Sequence, residues 1–315
     1  MPAGAGVANP TALNYAEKYQ RALANQFPYV LYFGDLYNET SEGNYRWVDE
    51  KTIKIPRLTT TGRVNANRDT IATAARNYDN SWETKTLEHE RKWSTLVHPK
   101  DIDQTNVVAS IANITKTFNE FQKFPEMDAY LISKLYERWT TSIAGEGYTG
   151  KTADTTAMTT GDAVLAMFDK FMLAMDNARV PVTGRILYCT HEVKALLKSA
   201  ASIAKRWEVQ QSTGAINRAV EYLDGVKINA VPKELMKTAY SFTEGWTPAV
   251  SADQIDMVMI HKGAIITPIS YTFAQLEAPS ALSEGKYVYY EESFEDAFIL
   301  NNRADALQFH VTLHT

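Results

Sequence analysis

The chain has 315 residues, 45% hydrophobic and 22% charged, the balance of a packed globular protein rather than a disordered one. Its formal charge of −5 leaves no overall basic footprint for nucleic acid, so any contact with DNA is expected to be local and non-specific. A single cysteine, Cys189, excludes an intrachain disulfide and a multi-cysteine metal site, while the lack of a signal-peptide pattern or a membrane-length apolar run predicts a soluble intracellular product with no membrane contact.

In chain order, "NYAEKYQRALANQ" (14–26) predicts a short helical arm, and "TIKIPRL" (52–58) alternates Ile53 and Ile55 with polar neighbours as a half-exposed strand does. From Thr59 to Lys92 large apolar residues are sparse, and "SWETKTLEHERKW" resumes strand-like alternation. Two strands leaving and returning predict a long hairpin that projects from the body, and a hairpin is marginal in water unless it lies on something else. Val107, Ile111, Ile114, Phe118 and Phe121 make an apolar stripe at helical spacing over 104–123. Pro125 is expected to interrupt it and to open a second helix running almost to Gly145, with Glu126 and Asp128 in the first turn. Residues 161–178 predict a third amphipathic helix, "GRILYCT" (184–190) a buried strand, and "HEVKALLKSA" a short helix behind it. Strands are then expected at 226–232, 254–261, 271–278, 286–300 and 306–313. Helices and strands mix without strict βαβ alternation, which is an α+β pattern.

Several motifs invite chemistry. "GEGYTGKT", Gly145 to Thr152, matches the phosphate-binding pattern G-x-x-x-x-G-K-[ST]. A working phosphate loop needs a buried strand before it and a helix opening at Lys151-Thr152. Here a helix precedes it, and "TADTTAMTT" follows without an apolar stripe, so a Gly-rich connector is the preferred reading. Cys189 and His191 would share a strand face, but Ile186, Leu187 and Tyr188 around them point to a core thiol. The six histidines form no metal-binding spacing: His89 and His98 fall on opposite faces, and His310 with His314 lies at a strand end. The carboxylates of "YYEESFEDAF" alternate with aromatics, as on a solvated sheet face. No catalytic set, cofactor site or metal site emerges, and no enzyme is expected.

Seven segments in order carry a resemblance: "KTIKIPRL", "ETKTLEHERKWSTLVHPKDID", "FPEMDAYLISKLYERW", "VPVTGRILYCTHEVKALLKS", "LDGVKINAVP", "MVMIHKGAI" and "DAFILNNRADALQF". Together they cover most of residues 51–308, and the chain resembles the tailed-phage major capsid proteins, the Hong Kong phage capsid fold shared with encapsulin shells. The resemblance implies an N-terminal arm at 1–45 and an extended hairpin, the E-loop, with flanking strands at 46–103. It further implies a spine helix and peripheral domain at 104–149, an axial domain at 150–264, and return strands completing the peripheral domain at 265–315. The implied function is self-assembly into hexamers and pentamers of an icosahedral shell around double-stranded DNA, placing the chain in the virion after assembly in the host cytoplasm. Candidate inter-subunit contacts are Arg57, Arg63, Arg68, Arg76, Trp82, Glu83, Lys85, Glu88 and Arg91. The implied partners are copies of the same chain, a separate scaffolding protein, since the arm is short, a portal protein and decoration proteins. An encapsulin-like compartment and a nucleotide-binding protein are the alternatives.

Overall fold

The computed structural model describes residues 29–37, 45–63, 76–104, 110–142, 148–201 and 220–314; the arm expected at 14–26 lies outside them. The alternation in "TIKIPRLTT" forms β2 (Thr52–Thr60), flanked by the short β1 (Arg46–Trp47) and paired antiparallel with β3 (Tyr78–Thr86). Nine cross-strand pairs run from Thr52↔Thr86 to Thr60↔Tyr78 without a register shift. At about 3.4 Å per residue the ribbon is roughly 30 Å long. Only its root is covered: Ile53 and Leu87 pack with Phe294 and Phe298, whereas residues 58–63 and 76–82 are exposed. Pro56 is tolerated because β1 reaches only to Lys54, leaving that strand edge without a partner. The chain then turns into β4 (His89–Val97), which joins a different sheet.

After α1 (Pro99–Gln104) comes α2 (Ile111–Phe118), whose N-cap Ser110 accepts from the Asn113 amide at 3.4 Å. Pro125 does not end it. Five residues, Asn119–Lys123, form a π turn, the Phe124 amide bonds back to the Asn119 carbonyl, and α3 (Phe124–Thr140) continues the same rod. An α-helical ladder would require an amide at Pro125 and would drive its ring into the carbonyl four residues earlier. Widening one turn relieves both demands. The rod is therefore about 45 Å long rather than two helices separated by a break. Its first part differs from expectation in another respect: no residue of α2 is fully buried, although its stripe is the most regular in the chain.

The central layer follows from one strand. All six residues of β5 (Arg185–Thr190) are buried, which requires a layer on each face. Leu187 and Cys189 pack with Val164, Phe168, Phe171 and Met175 of α4 (Gly161–Asn177) and with Val193 and Leu197 of α5 (His191–Ser199). Ile186 and Tyr188 pack the other way, with Leu131, Ile132, Leu135 and Trp139 of α3. Thr160 and Thr190 cap α4 and α5 through their hydroxyls. Behind α5 the short β6 (Tyr222–Leu223) and β7 (Val226–Val231) follow, and β7 runs parallel to β5, so β5–α5–β7 is a crossover unit inside a mixed sheet. A small β8 (Tyr240–Ser241) and β9 (Thr247–Pro248) pair precedes β10 (Gln254–His261). The chain continues as β11 (Ile265–Ile266), β12 (Ile269–Glu277), β13 (Tyr287–Glu295), β14 (Phe298–Ile299) and β15 (Leu307–Thr312). The main sheet has the order β15-β10-β5-β7-β6, and the outer sheet the order β12-β13-β4. The strand expected across 286–300 is broken at Asp296.

That break is where the molecule's parts are tied. The Asp296 carboxylate, fully buried, accepts from Arg138 Nη1 and Nη2 at 2.7 and 3.0 Å, from the Tyr130 hydroxyl at 3.0 Å, and from the amides of Glu88 and Ala297 at 3.1 and 2.7 Å. Arg138 also lies over the Phe298 ring at 4.1 Å. A second buried carboxylate, Asp128 on α3, accepts from the Tyr29 hydroxyl and the amides of Tyr32 and Phe33, binding the segment 29–37 to the rod. Burial pushes the Asp128 pKa up to about 7 against those three hydrogen bonds.

Two outcomes follow from this packing. Asp296→Asn removes the carboxylate charge from a part-buried guanidinium that keeps the Ala297 carbonyl and Glu88 beside it, and is expected to cost roughly 3 kcal/mol in a urea melt; a loss below about 1 kcal/mol would show that the tie is dispensable. Burial also pushes the Cys189 thiol up to about 12. Thiol labelling is therefore expected to be negligible in native protein and complete in denaturant, and fast native labelling would contradict the position of β5.

Candidate functional site: a projecting hairpin and a carboxylate-lined cavity

The residues singled out on the hairpin fall into two groups. Arg63, Arg76 and Trp82 lie on its uncovered part, Arg76 with Asp79 at 3.9 Å and the Tyr78 ring at 5.7 Å beside it, and Trp82 half-exposed. Leu58 and Tyr78 are equally bare there, 68% and 55% exposed, which makes the ribbon's free end partly apolar as well as cationic. Arg68 lies outside the described residues. The others sit nearer the root, and all but Arg57 are engaged within the chain. Glu83 pairs with Lys85 at 2.8 Å, and Lys85 reaches Asn301 at 3.4 Å. Glu88 pairs with Lys134 at 3.0 Å, and Arg91 pairs with Glu126 while donating to the Phe242 carbonyl at 2.7 Å. Arg57 is half-buried, with a buried Nε that has no hydrogen-bond partner among the described residues.

A cavity of about 640 Å³ opens where the rod crosses the outer sheet. The register Trp93↔Glu291, Arg91↔Ser293 and His89↔Glu295 sets these six side chains on the sheet face beneath the rod. Trp93 stacks on Phe118 with centroids 3.9 Å apart, and Lys123 Nζ bonds Glu291 at 3.1 Å. Glu295 is 8% exposed and lines the cavity. His89 stacks on Tyr130, and its buried Nε2 stands 3.7 Å from Glu295 and 3.8 Å from Glu126 without hydrogen bonding to either. Burial, then the charge of Glu126, pushes Glu295 up to about 7, and burial raises Glu126 as well. Burial, then Arg91 and Lys134, pushes His89 down to about 3, so the imidazole is neutral at physiological pH and supplies no countercharge. Glu295 and Asp296 thus depart from the solvated sheet face expected of "YYEESFEDAF". No sequence signal separates them from Glu291 and Glu292, because what buries them is the rod laid across the sheet.

The remaining motifs do not assemble chemistry. Gly145 to Glu146 and Gly147 lie outside the described residues, but the second half of the phosphate-loop match is in view. The Lys151 amide donates to the Trp139 carbonyl at 2.9 Å, its ammonium pairs with Asp305 at 2.5 Å, and the next helix opens only at Gly161. Gly150 is required by close approach, since a Cβ there would lie 1.9 Å from the Thr140 carbonyl oxygen. His191 opens α5 and is exposed, so it shares no strand face with Cys189. His310 is buried between Asp256 at 3.1 Å and the Thr156 carbonyl at 2.7 Å. Among the described residues no His, Cys, Asp and Glu grouping could hold a metal ion, and no helix is long and apolar enough to cross a membrane.

No family model and no curated protein matches the chain. Solved structures do. The chain is similar to one from the mature capsid of bacteriophage PhiM1 (TM-score 0.67, 14% identity, covering 96% of this chain and 93% of that one). It is likewise similar to one from the capsid of cyanophage P-SCSP1u (0.65, 12%, 98% and 98%) and one from the capsid of Ralstonia phage GP4 (0.59, 9%, 100% and 99%). At these identities the likeness is one of fold, and it runs from end to end: this chain has the α+β fold found in phage capsids.

Proposed function

We propose that the chain is the major capsid protein of a tailed phage, a shell subunit that assembles with copies of itself into hexamers and pentamers of an icosahedral capsid enclosing double-stranded DNA. The observation that supports this best is the end-to-end likeness to phage capsid chains in both directions of coverage. The molecule's own surface agrees with it. A subunit that ended at its own boundary would gain nothing from a ribbon about 30 Å long whose apolar residues Leu58, Tyr78 and Trp82 stand in water. In this reading residues 1–45 are the arm, 46–103 the E-loop and its flanks, 104–149 the spine and peripheral domain, 150–264 the axial domain and 265–315 the return strands. Scaffolding, portal and decoration proteins would be its partners in assembly, DNA would be touched only non-specifically, and the chain would be non-enzymatic. Among the described residues nothing favours an encapsulin-like compartment.

Negative-stain electron microscopy of the purified chain is expected to show capsomers or closed shells, and a strictly monomeric species at high micromolar concentration would overturn the proposal. Replacing residues 63–80 by a short Gly/Ser linker removes the exposed Arg63 and residues 76–80 together with the polar segment between them, at modest loop-closure cost. The variant is expected to be soluble with near-native circular dichroism and a cooperative melt, yet to form no closed particles in sedimentation velocity. Shells of normal size would show that the ribbon is not an inter-subunit clamp. Calorimetric titration of wild-type protein with Mg·ATP is expected to show no saturable binding, and Lys151→Ala to leave assembly intact; micromolar ATP binding would revive the nucleotide reading.

A further inference from the structure

We infer that His310 is a proton-operated clasp: as the imidazolium it fastens residues 153–156 along the outer edge of β15, and loss of its proton as the medium turns alkaline lets them go. The inference goes beyond the shell reading and concerns the single subunit. In the main sheet β15 is an end strand, with β10 as its neighbour. Its outer edge is covered by the stretch between the rod and α4. The Asp154 amide donates to the Phe309 carbonyl at 3.0 Å, the Val311 amide to the Asp154 carbonyl at 2.8 Å, and Asp154 bridges His310 in parallel register. Two backbone bonds are a modest hold for a stretch in which Thr155 and Thr156 are exposed.

The His310 ring adds to that hold. It is buried, with Nδ1 3.1 Å from Asp256 Oδ2 and Nε2 2.7 Å from the Thr156 carbonyl oxygen. A carbonyl only accepts, and the same carboxylate oxygen already accepts the Thr312 hydroxyl at 2.6 Å. A neutral imidazole has one donor nitrogen, so in that form one of the two contacts would set a lone pair against an oxygen, whereas the doubly protonated ring satisfies both. The charged groups facing it are Asp256 from β10 and Asp154 from the covering stretch, with Lys170 of α4 paired to Asp154. Burial favours the neutral ring, but the Asp256 and Thr156 hydrogen bonds and the charges of Asp256 and Asp154 outweigh it, and the His310 pKa is raised. The hold is thus full below the ordinary histidine value of about 6.5 and is lost as pH rises from there through the raised value. Once open, the edge presents the Val311 amide and the Phe309 carbonyl bare, as unprotected strand edges do when they pair with other chains.

Deuterium exchange of the full chain, read by mass spectrometry, tests this whether or not shells form. Exchange at the imidazole carbon between the ring nitrogens reports the His310 titration, and amide exchange at 153–156, corrected for base catalysis, reports the cover. His310 is expected to titrate above about 6.5, and protection at 153–156 to fall by up to about tenfold per pH unit from there to the His310 midpoint and to level off beyond it. Asp256→Asn is expected to lower the midpoint by about one unit, tenfold in proton affinity, and to bring the levelling point down with it. Lys170→Met changes an exposed side chain, leaves the Asp154 charge without its partner, and is expected to move both upward, so it decides the matter should Asp256→Asn fail to fold. A ring that merely fills space would show neither shift. A His310 midpoint at or below the ordinary value, protection at 153–156 indifferent to pH, or a levelling point that stays put while the midpoint moves would overturn the inference.

Discussion

The structure turns on one buried carboxylate. Asp296 holds five donated hydrogen bonds from four residues in three parts of the chain: the bidentate Arg138 and Tyr130 of the rod, the Glu88 amide at the corner between β3 and β4, and the Ala297 amide where β13 gives way to β14. Burying an ion pair is rarely a net source of stability, since desolvation offsets most of the attraction. Its value lies in geometry. A hydrophobic contact can slide, whereas a forked guanidinium–carboxylate pair with three further donors fits in one arrangement. The hairpin leaves the body at that corner, so the angle at which it projects is fixed by the same side chain that fixes the rod against the sheet.

The second constraint is the doubly buried β5, and it was readable in advance. A run of apolar residues flanked by helical patterns forces a layered core, and α4, α5 and the β10 and β15 partners fell where periodicity placed them. What was not readable came from contacts between distant segments. The stripe of α2 has the spacing of core, yet no residue of it is fully buried among the described residues, where Trp93 of the outer sheet stacks on Phe118. Pro125 reads locally as a stop, but a rod held along its length by Trp139, Leu135 and Leu131 tolerates a π turn more readily than a break. In β10 a bulge between Ile255 and Met257 turns Asp256 out to His310 and Thr312 while Ile255 and Val258 both face α3. Strict alternation could not have shown that. For the site, the projecting hairpin was legible from its polarity, whereas the buried character of Glu295 depends on a helix 170 residues away in sequence terms from nothing its neighbours reveal.

One feature of the subunit looks uneconomical when it is considered alone: a ribbon on which Leu58, Tyr78 and Trp82 stand in water. Such exposure is costly in isolation, and natural chains keep such costs where a function needs them. Contact with another molecule would relieve it. The division of labour is visible in the residue types. Apolar side chains from α3, α4 and the main sheet hold the body together, and the outer sheet and hairpin present charge, aromatic faces and open edges.

If the free end of the ribbon is covered by the body of another copy, the contact is heterologous, since the patch that gives is not the patch that receives. Such contacts propagate head to tail, and they close into a ring only if the rotation from one copy to the next divides a full turn. That rotation is set by the angle between hairpin and body. A loosely rooted ribbon would allow many angles and produce open chains as readily as rings. A ribbon whose exit corner is fixed through Glu88 to Asp296, and whose root packs Ile53 and Leu87 against Phe294 and Phe298, restricts the choice. The small remaining freedom lies in the twist of a two-stranded ribbon, which bends at low cost. A rigid root with a compliant blade is what a subunit needs if one sequence is to close rings of both six and five.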